Sequence, residues 1–166
     1  MSEQQNNQQP IDDETVVNSQ MQADDEETTI FTVADVLADV IESGGYCDSV
    51  SVQMYPAENL GAQENGLICI VKPNDMNLET DTRNGGNLKY YFEVGFLKWI
   101  AAESESVGLL KKVEKIVKDM LNVLLLDGAF VITALNPNIL YSVKAGNRRS
   151  QFASVWTVEV TAMDYT

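Results

Sequence analysis

The composition of this chain changes abruptly after residue 27, and that boundary limits which part of it can fold. Residues 1–27 contain eight acidic side chains and no lysine, arginine or aromatic residue. A segment of this composition cannot bury enough apolar surface to offset the entropy that it would lose on ordering. We therefore predict a disordered acidic N-terminal arm over residues 1–27, followed by a single α/β domain over residues 28–166.

The charge balance and the absence of histidine narrow the possible functions. The chain has 25 acidic and 11 basic residues, a formal net charge of −14, and no histidine. Such a surface repels nucleic-acid phosphates and anionic membranes, so we expect neither specific nucleic-acid binding nor a membrane partner. Histidine is the commonest general acid–base group and metal ligand. With no phosphate-binding glycine loop and no nucleophile elbow either, we expect a protein without enzymatic activity, cofactor or metal.

Two segments have the apolar spacing of amphipathic helices. Thr32 and Asp35 form a capping-box pattern at the start of the first. Its apolar residues share one face: Val33, Val36, Leu37, Val40 and Ile41. The second helix is predicted from about residue 106 to 126, with lysines on its outer side. Its inner side is predicted to carry Leu110, Val113, Val117, Met120, Leu121 and Leu124.

The remaining apolar patterns predict strands, separated by one long polar segment. The strands are expected at 50–54, 67–71, 89–99, 130–135, 139–143 and 152–162, and residues 72–87 are expected to form a loop. Since turns rather than helices join most neighbouring strands, the sheet should be mostly antiparallel. The predicted class is α+β: a mostly antiparallel (mixed) sheet of five to six strands with two helices packed on one face. The predicted order is α-β-β-β-α-β-β-β.

Two groups of charged residues are candidates for an interface. Lys144, Arg148 and Arg149 form a basic turn, which on an acidic protein is suited to carboxylates of a neighbour. The predicted 72–87 loop contains the second group: Glu79, Asp81 and Arg83. Long loops in compact domains are often functional, so we treat these six residues as candidate contacts with partners.

The two cysteines allow two interpretations. Cys47 and Cys69 are too few for a four-ligand zinc site. If neighbouring strands bring them together they could form a disulfide; otherwise they are free thiols, as is usual in a protein made in the cytoplasm. No signal-peptide pattern is seen at the N-terminus, which favours the cytoplasmic origin.

The order of elements resembles that of a known family. A first helix, three strands that end in an aromatic one (Tyr90–Val94), a long second helix and a closing strand pair follow one another, and the last strand covers residues 152–160. This pattern, over roughly residues 29–165, is similar to the tail terminator (tail completion) and related minor capsid and neck proteins of long-tailed bacteriophages. The resemblance implies a six-fold ring, a hexamer, that caps the finished tail tube and presents a surface to the head connector.

The expected partners follow from that resemblance: further copies of this chain, the tail tube protein, and head–tail connector or neck proteins. The expected location is the virion tail or neck. Three alternatives remain open. The chain could be a head-completion or connector protein of the same virion, an acidic DNA mimic that inhibits a nucleic-acid-binding protein, or a small-molecule binding domain with a pocket along the aromatic strand.

Overall fold

The computed structural model describes residues 28–53, 66–81, 85–146 and 149–163, and the side chains of 79–81 and 85–87 lie outside this description. The predicted acidic arm, residues 1–27, also lies outside it. The elements are α1 (Ile30–Ser43), β1 (Ser49–Val52), β2 (Ile68–Asp81), β3 (Gly85–Ile100), α2 (Glu105–Met120), β4 (Leu124–Leu125), β5 (Phe130–Ala145) and β6 (Ser150–Ala162). The predicted α+β class and element order are confirmed.

The six strands form one mixed sheet in the order β1-β2-β3-β6-β5-β4. Within the described part of the chain, β1 and β2 pair in parallel and the other four pairings are antiparallel. The buried faces of α1 and α2 and one face of the sheet form a single apolar core. Neither helix has the length and apolar character needed to cross a membrane, over the residues that the structure describes.

Helix α1 begins earlier than the capping pattern predicted. The N-cap is Thr29, not Thr32: the Thr29 hydroxyl accepts a hydrogen bond from the Thr32 backbone N–H, and the Thr32 hydroxyl accepts one from the Thr29 N–H, both at 3.4 Å. The predicted box at Thr32 and Asp35 is therefore wrong. Starting one turn earlier lets Ile30 pack against the core, which the apolar spacing after residue 33 did not reveal.

Helix α2 ends earlier than predicted, at Met120 instead of about residue 126. Leu121 is extended and Asn122 has a positive φ of 65°, so the chain leaves the helix there. Backbone hydrogen bonds to β5 hold the new direction: the Asn122 N–H donates to the Ile132 carbonyl at 3.0 Å, and the Ile132 N–H donates to the Val123 carbonyl at 3.0 Å. Leu121 and Leu124, predicted to face inward, are consequently exposed.

The predicted 72–87 loop is wrong in its described part. Strand β2 continues through Asp81, and β3 starts at Gly85, so the two form a long antiparallel ribbon paired from Ile68↔Leu97 to Asp81↔Gly85. The pairing has a register shift between Pro73 and Asp75. Cross-strand backbone hydrogen bonds, rather than side-chain burial, hold a polar ribbon of this kind.

The break predicted at Pro137 is also wrong. Strand β5 is continuous from Phe130 to Ala145, and three register shifts between Ile132 and Ser142 accommodate its irregular pairing with β6. Proline is tolerated because no strand pairs with the outer side of β5 at this position among the described residues. Three strands follow α2, as predicted, but they divide the chain differently. The strands predicted at 130–135 and 139–143 are both part of β5, and the additional strand is β4.

The register of the last strand is confirmed. Trp156, Val158 and Val160 of β6 are buried, and Thr157 and Glu159 point to the other face. The aromatic strand is part of the core too: Tyr90 and Phe92 are buried, with their rings 6.5 Å apart in an edge-to-face arrangement. Tyr90 and Phe92 therefore contribute to the apolar core.

Deleting residues 1–27 should leave the folded domain intact. Every buried apolar side chain of the core lies at or beyond Val33, so the arm is not needed to complete the core that the structure describes. We expect the melting temperatures of the truncated and full-length chains to agree within a few degrees, measured by circular dichroism at high salt. Loss of a cooperative transition on truncation would show that the domain boundary is wrong.

Candidate assembly surface

The predicted basic turn lies at one end of the sheet, between β5 and β6. Lys144, near the end of β5, is paired with Gln151, and Lys144 and Arg149 are both exposed. The Gly146 N–H donates to the Arg149 carbonyl at 2.9 Å and closes the turn. A Cβ at residue 146 would lie 2.6 Å from that carbonyl oxygen, so only glycine fits. Arg148 lies outside the described residues.

The second predicted group lies on the β2–β3 ribbon. Glu79 and Asp81 are the positions of β2 opposite Asn87 and Gly85. Their side chains, and Arg83 altogether, lie outside the described residues. Asp75, earlier on the same strand, is exposed, and its carboxylate accepts a hydrogen bond from the Met76 N–H at 2.8 Å. This end of β2 therefore carries three acidic residues.

The structure does not bring the two groups together. Strand β3 runs from Gly85, beside the acidic end of β2, to Ile100, which pairs with Ser150 next to the basic turn. At about 3.3 Å per residue, a strand of this length spans roughly 50 Å. The sheet thus carries an acidic end and a basic end, and one molecule cannot join them. This separation was not predicted from the sequence.

Both sides of the sheet have edges to which no described strand is paired. Strand β1 pairs with β2 only over Ile68–Val71, and β4 pairs with β5 only at Phe130 and Val131. Beyond these pairings, β2 and β5 carry exposed large apolar side chains: Met76, Leu78, Ile139, Leu140 and Tyr141. Backbone edges with such side chains are suited to pairing with another chain.

A periodic signal for the β2 edge was present in the sequence. Met76 and Leu78 alternate with polar residues inside the segment that was predicted as a loop. They lie opposite Tyr90 and Leu88 of β3, which are buried, so these two apolar residues extend the core face beyond the helices. A strand interpretation of residues 74–79 would have identified this exposed strip.

The face of the sheet opposite the helices carries a polar cluster. Lys89 Nζ is 3.4 Å from Glu159 Oε1, and the Thr133 hydroxyl donates to the same carboxylate oxygen at 2.9 Å. The Thr133 and Thr161 hydroxyls are 2.9 Å apart. Because these groups are partly solvated, the ion pair adds at most about 1 kcal/mol to stability. The cluster as a whole joins three neighbouring strands, β3, β6 and β5, through their side chains.

Comparison with known proteins finds similarity only at the level of overall shape. No family model and no curated protein matches the chain. One solved structure that resembles it is a chain from the virion of a native gene transfer agent (GTA) particle, with 14% identity, a TM-score of 0.41, and coverage of 88% of this chain and 92% of that chain. Another, which has no descriptive name, shows 13% identity, a TM-score of 0.46, and coverage of 82% and 96%. At these values neither likeness carries an argument about function.

A groove lies between the C-terminal ends of α1 and α2. It has a volume of about 250 Å³ and is lined by Val40, Ile41, Gly44, Tyr46, Ile116, Asp119 and Met120. The Tyr46 hydroxyl donates to the Asp119 carboxylate at 2.9 Å, and the ammonium group of Lys115 lies 5.3 Å from the centre of the Tyr46 ring. The polar groups at the groove therefore bind one another. Among the described residues, no three His, Cys, Asp or Glu side chains are grouped as metal ligands.

The exposed side of α2 is rich in positive charge. Lys111, Lys112, Lys115 and Lys118 are all exposed there, as the lysine pattern predicted. The folded domain consequently has basic and acidic regions, and the excess of negative charge lies largely in residues 1–27.

Proposed function

We propose that this protein is a structural virion protein that forms a ring at the head-proximal end of a phage tail, ends the growth of the tail tube and joins tail to head. In this proposal it acts by binding, without catalysing a reaction. The observation that carries it is the separation of the acidic and basic ends of the sheet, which is suited to contact between successive copies.

The physical argument starts from symmetry. Two surfaces that attract each other but lie at different places on one molecule make a head-to-tail contact, and such contacts generate rings when the rotation between copies closes. The β5–β6 turn with Lys144 and Arg149 is one such surface, and the end of β2 with Glu79 and Asp81 is the other. The free edges of β2 and β5 add backbone groups and exposed apolar side chains to the contact.

The tail-specific part of the proposal is supported by the order of elements over residues 29–165, which resembles the tail terminator and neck proteins. Subunits of the tail tube stack head-to-tail, and such stacking does not stop by itself. The length of the tube is therefore set by a component that binds one end of the tube and blocks addition of the next ring. A net charge of −14 also suits a ring through which DNA passes, because attraction would slow the polyanion. The lysine-covered surface of α2 argues against the DNA-mimic alternative, since a mimic needs carboxylates across its folded surface.

Loss of the protein tests the proposal at the level of the particle. Particles produced with a stop codon early in this chain should be filled heads without attached tails, together with free tails of irregular and excessive length in electron micrographs. Expression of the chain in trans should restore normal particles. Tails of normal length beside empty or leaking heads would favour the connector alternative, and normal infectious particles would contradict any role in virion assembly.

A further inference from the structure

Three lysines form a stripe along the exposed side of α2. Lys111, Lys115 and Lys118 are spaced i, i+4 and i+7, so they lie within about 60° of one another around the helix axis and span roughly 10 Å along it. All three are exposed, and within the described part of the chain none of them forms an ion pair with a carboxylate. We call these three residues the lysine stripe.

The lysine stripe lies beside the chain that leaves α1. The Lys115 ammonium group is 5.3 Å from the centre of the ring of Tyr46, which follows the end of α1. The Asp119 carboxylate, next to Lys118 in the sequence, accepts a hydrogen bond from the Tyr46 hydroxyl at 2.9 Å. From this point α1 leads back over roughly 20 Å to Ile30, and the acidic arm joins the domain just before that residue.

The arm carries its carboxylates in two main clusters at different distances from that junction. The proximal cluster, residues 24–27, extends at most about 13 Å from Thr28, which is less than the length of α1. The distal cluster, residues 12–14, is about 15 residues from Thr28. It reaches roughly 20 Å as a flexible coil and about 50 Å when fully extended. The distal cluster is therefore the one whose reach matches the position of the lysine stripe.

We propose that the lysine stripe is the docking site of this chain's own arm, with the distal cluster as the group that binds it. Both partners are short rows of like charge and opposite sign. Tethering to the same domain gives the arm an effective concentration on the order of millimolar, so a few individually weak, solvated ion pairs are enough to hold it. The exposed side of α1 carries Asp35 and Asp39, and this acidic surface directs the arm toward α2 by repulsion.

The docked arm shields the lysines of α2 from other polyanions. This role is separate from the proposed ring, because it needs only one copy of the chain. The bare lysine stripe is a surface to which a nucleic acid or another polyanion can bind without sequence preference. An attached carboxylate segment competes with such ligands wherever the protein goes.

Zero-length cross-linking of the full-length chain tests the contact directly. A carbodiimide joins a lysine to a carboxylate only when the two groups touch. At low salt, peptide mapping should find links from the distal cluster to the lysine stripe, and the proximal cluster should give few or none. At about 0.5 M NaCl the links should disappear, because the screening length is then only about 4 Å.

A mixture of unlabelled and 15N-labelled chains distinguishes the chain's own arm from that of a neighbour. Each cross-linked pair of peptides should carry a single isotope label. Pairs of mixed label would assign the lysine stripe to the arm of another copy and contradict the proposal. Links from the distal cluster to Lys144 of the basic turn, or no links from it at all, would overturn the proposal as well.

Binding to heparin, a soluble polyanion, measures the shielding in two full-length variants with the same change in net charge. They are Asp12→Asn, Asp13→Asn and Glu14→Gln in the distal cluster, and Asp24→Asn, Asp25→Asn and Glu26→Gln in the proximal cluster. The distal variant should bind heparin about tenfold more tightly than the wild type at low salt, as expected if the stripe is free in about a tenth of wild-type molecules. The proximal variant should bind like the wild type.

A further pair of substitutions shows whether the gain in heparin binding belongs to α2. Adding Lys111→Gln and Lys118→Gln to the distal variant should remove the gain, since both lysines belong to the stripe. Equal heparin binding by the distal and proximal variants, or a gain that persists without these lysines, would contradict shielding by the arm. Sedimentation of the same variants reports on the ring separately.

Discussion

Replacing Trp156 by aspartate should abolish cooperative folding of the domain. Trp156 is 7% exposed, lies in β6 opposite Val94, and donates its indole N–H to the Ser154 hydroxyl at 2.9 Å. Truncating a buried tryptophan costs about 3–5 kcal/mol, and a buried unpaired carboxylate costs several more. The sum is comparable to the whole stability of a typical domain, about 5–15 kcal/mol. Circular dichroism and thermal melting should show no native transition.

Two variants at the same place serve as controls. Thr157→Asp introduces the same carboxylate one residue later, on the partly solvated face, where it removes the hydrogen bond to Asn138 and should cost only about 1 kcal/mol. Trp156→Phe keeps a ring in the core and loses the indole donor, while the Ser154 hydroxyl still donates to the Leu140 carbonyl at 2.6 Å. If Trp156→Asp and Thr157→Asp melted alike, the register of β6 described above would be wrong.

Reversing the charge of the basic turn should disrupt self-association without disturbing the fold. In the triple variant Lys144→Glu, Arg148→Glu and Arg149→Glu, the turn would repel the acidic end of a neighbouring copy instead of attracting it. Lys144 and Arg149 are exposed, so the domain should still melt normally. We expect the concentration for half-assembly to rise by about 10- to 100-fold, measured by sedimentation velocity. The wild-type assembly should also weaken as salt is raised.

The α2 surface provides a control with the same change in net charge. Lys111, Lys112 and Lys118 are exposed, and replacing all three by glutamate alters the total charge as much as the turn variant does. Self-association should be nearly unchanged in this control if the turn is a specific contact. Adding Glu79→Lys and Asp81→Lys to the turn variant should restore association, since the signs of charge at the two ends are then exchanged. Equal effects of the turn and α2 variants, or no recovery in the exchanged variant, would contradict a head-to-tail contact between these two ends.

The sequence was informative about many of the side chains that are buried in regular elements, although Leu109 and Ile116 of α2 were missed. The inward residues of β6 and of the aromatic strand β3 were identified correctly because burial imposes a period on each strand. Val33, Leu37 and Ile41 on α1, and Val113, Val117 and Met120 on α2, were identified for the same reason. The positions of the two charged groups along the chain were also known, but their relation in space was not.

The sequence by itself determined three things: the fold class, the inward faces of its helices and strands, and the distribution of charge along the chain. Local periodicity and composition record these properties directly. Only the tertiary structure decided that β2 pairs with β3 as far as Asp81, that β5 runs past Pro137, and that α2 ends at Met120. It also placed the basic turn and the acidic end of β2 at opposite ends of the sheet. These features depend on hydrogen bonds between segments distant in sequence, and the period of the side chains along one strand does not record which strand it pairs with or where that pairing ends.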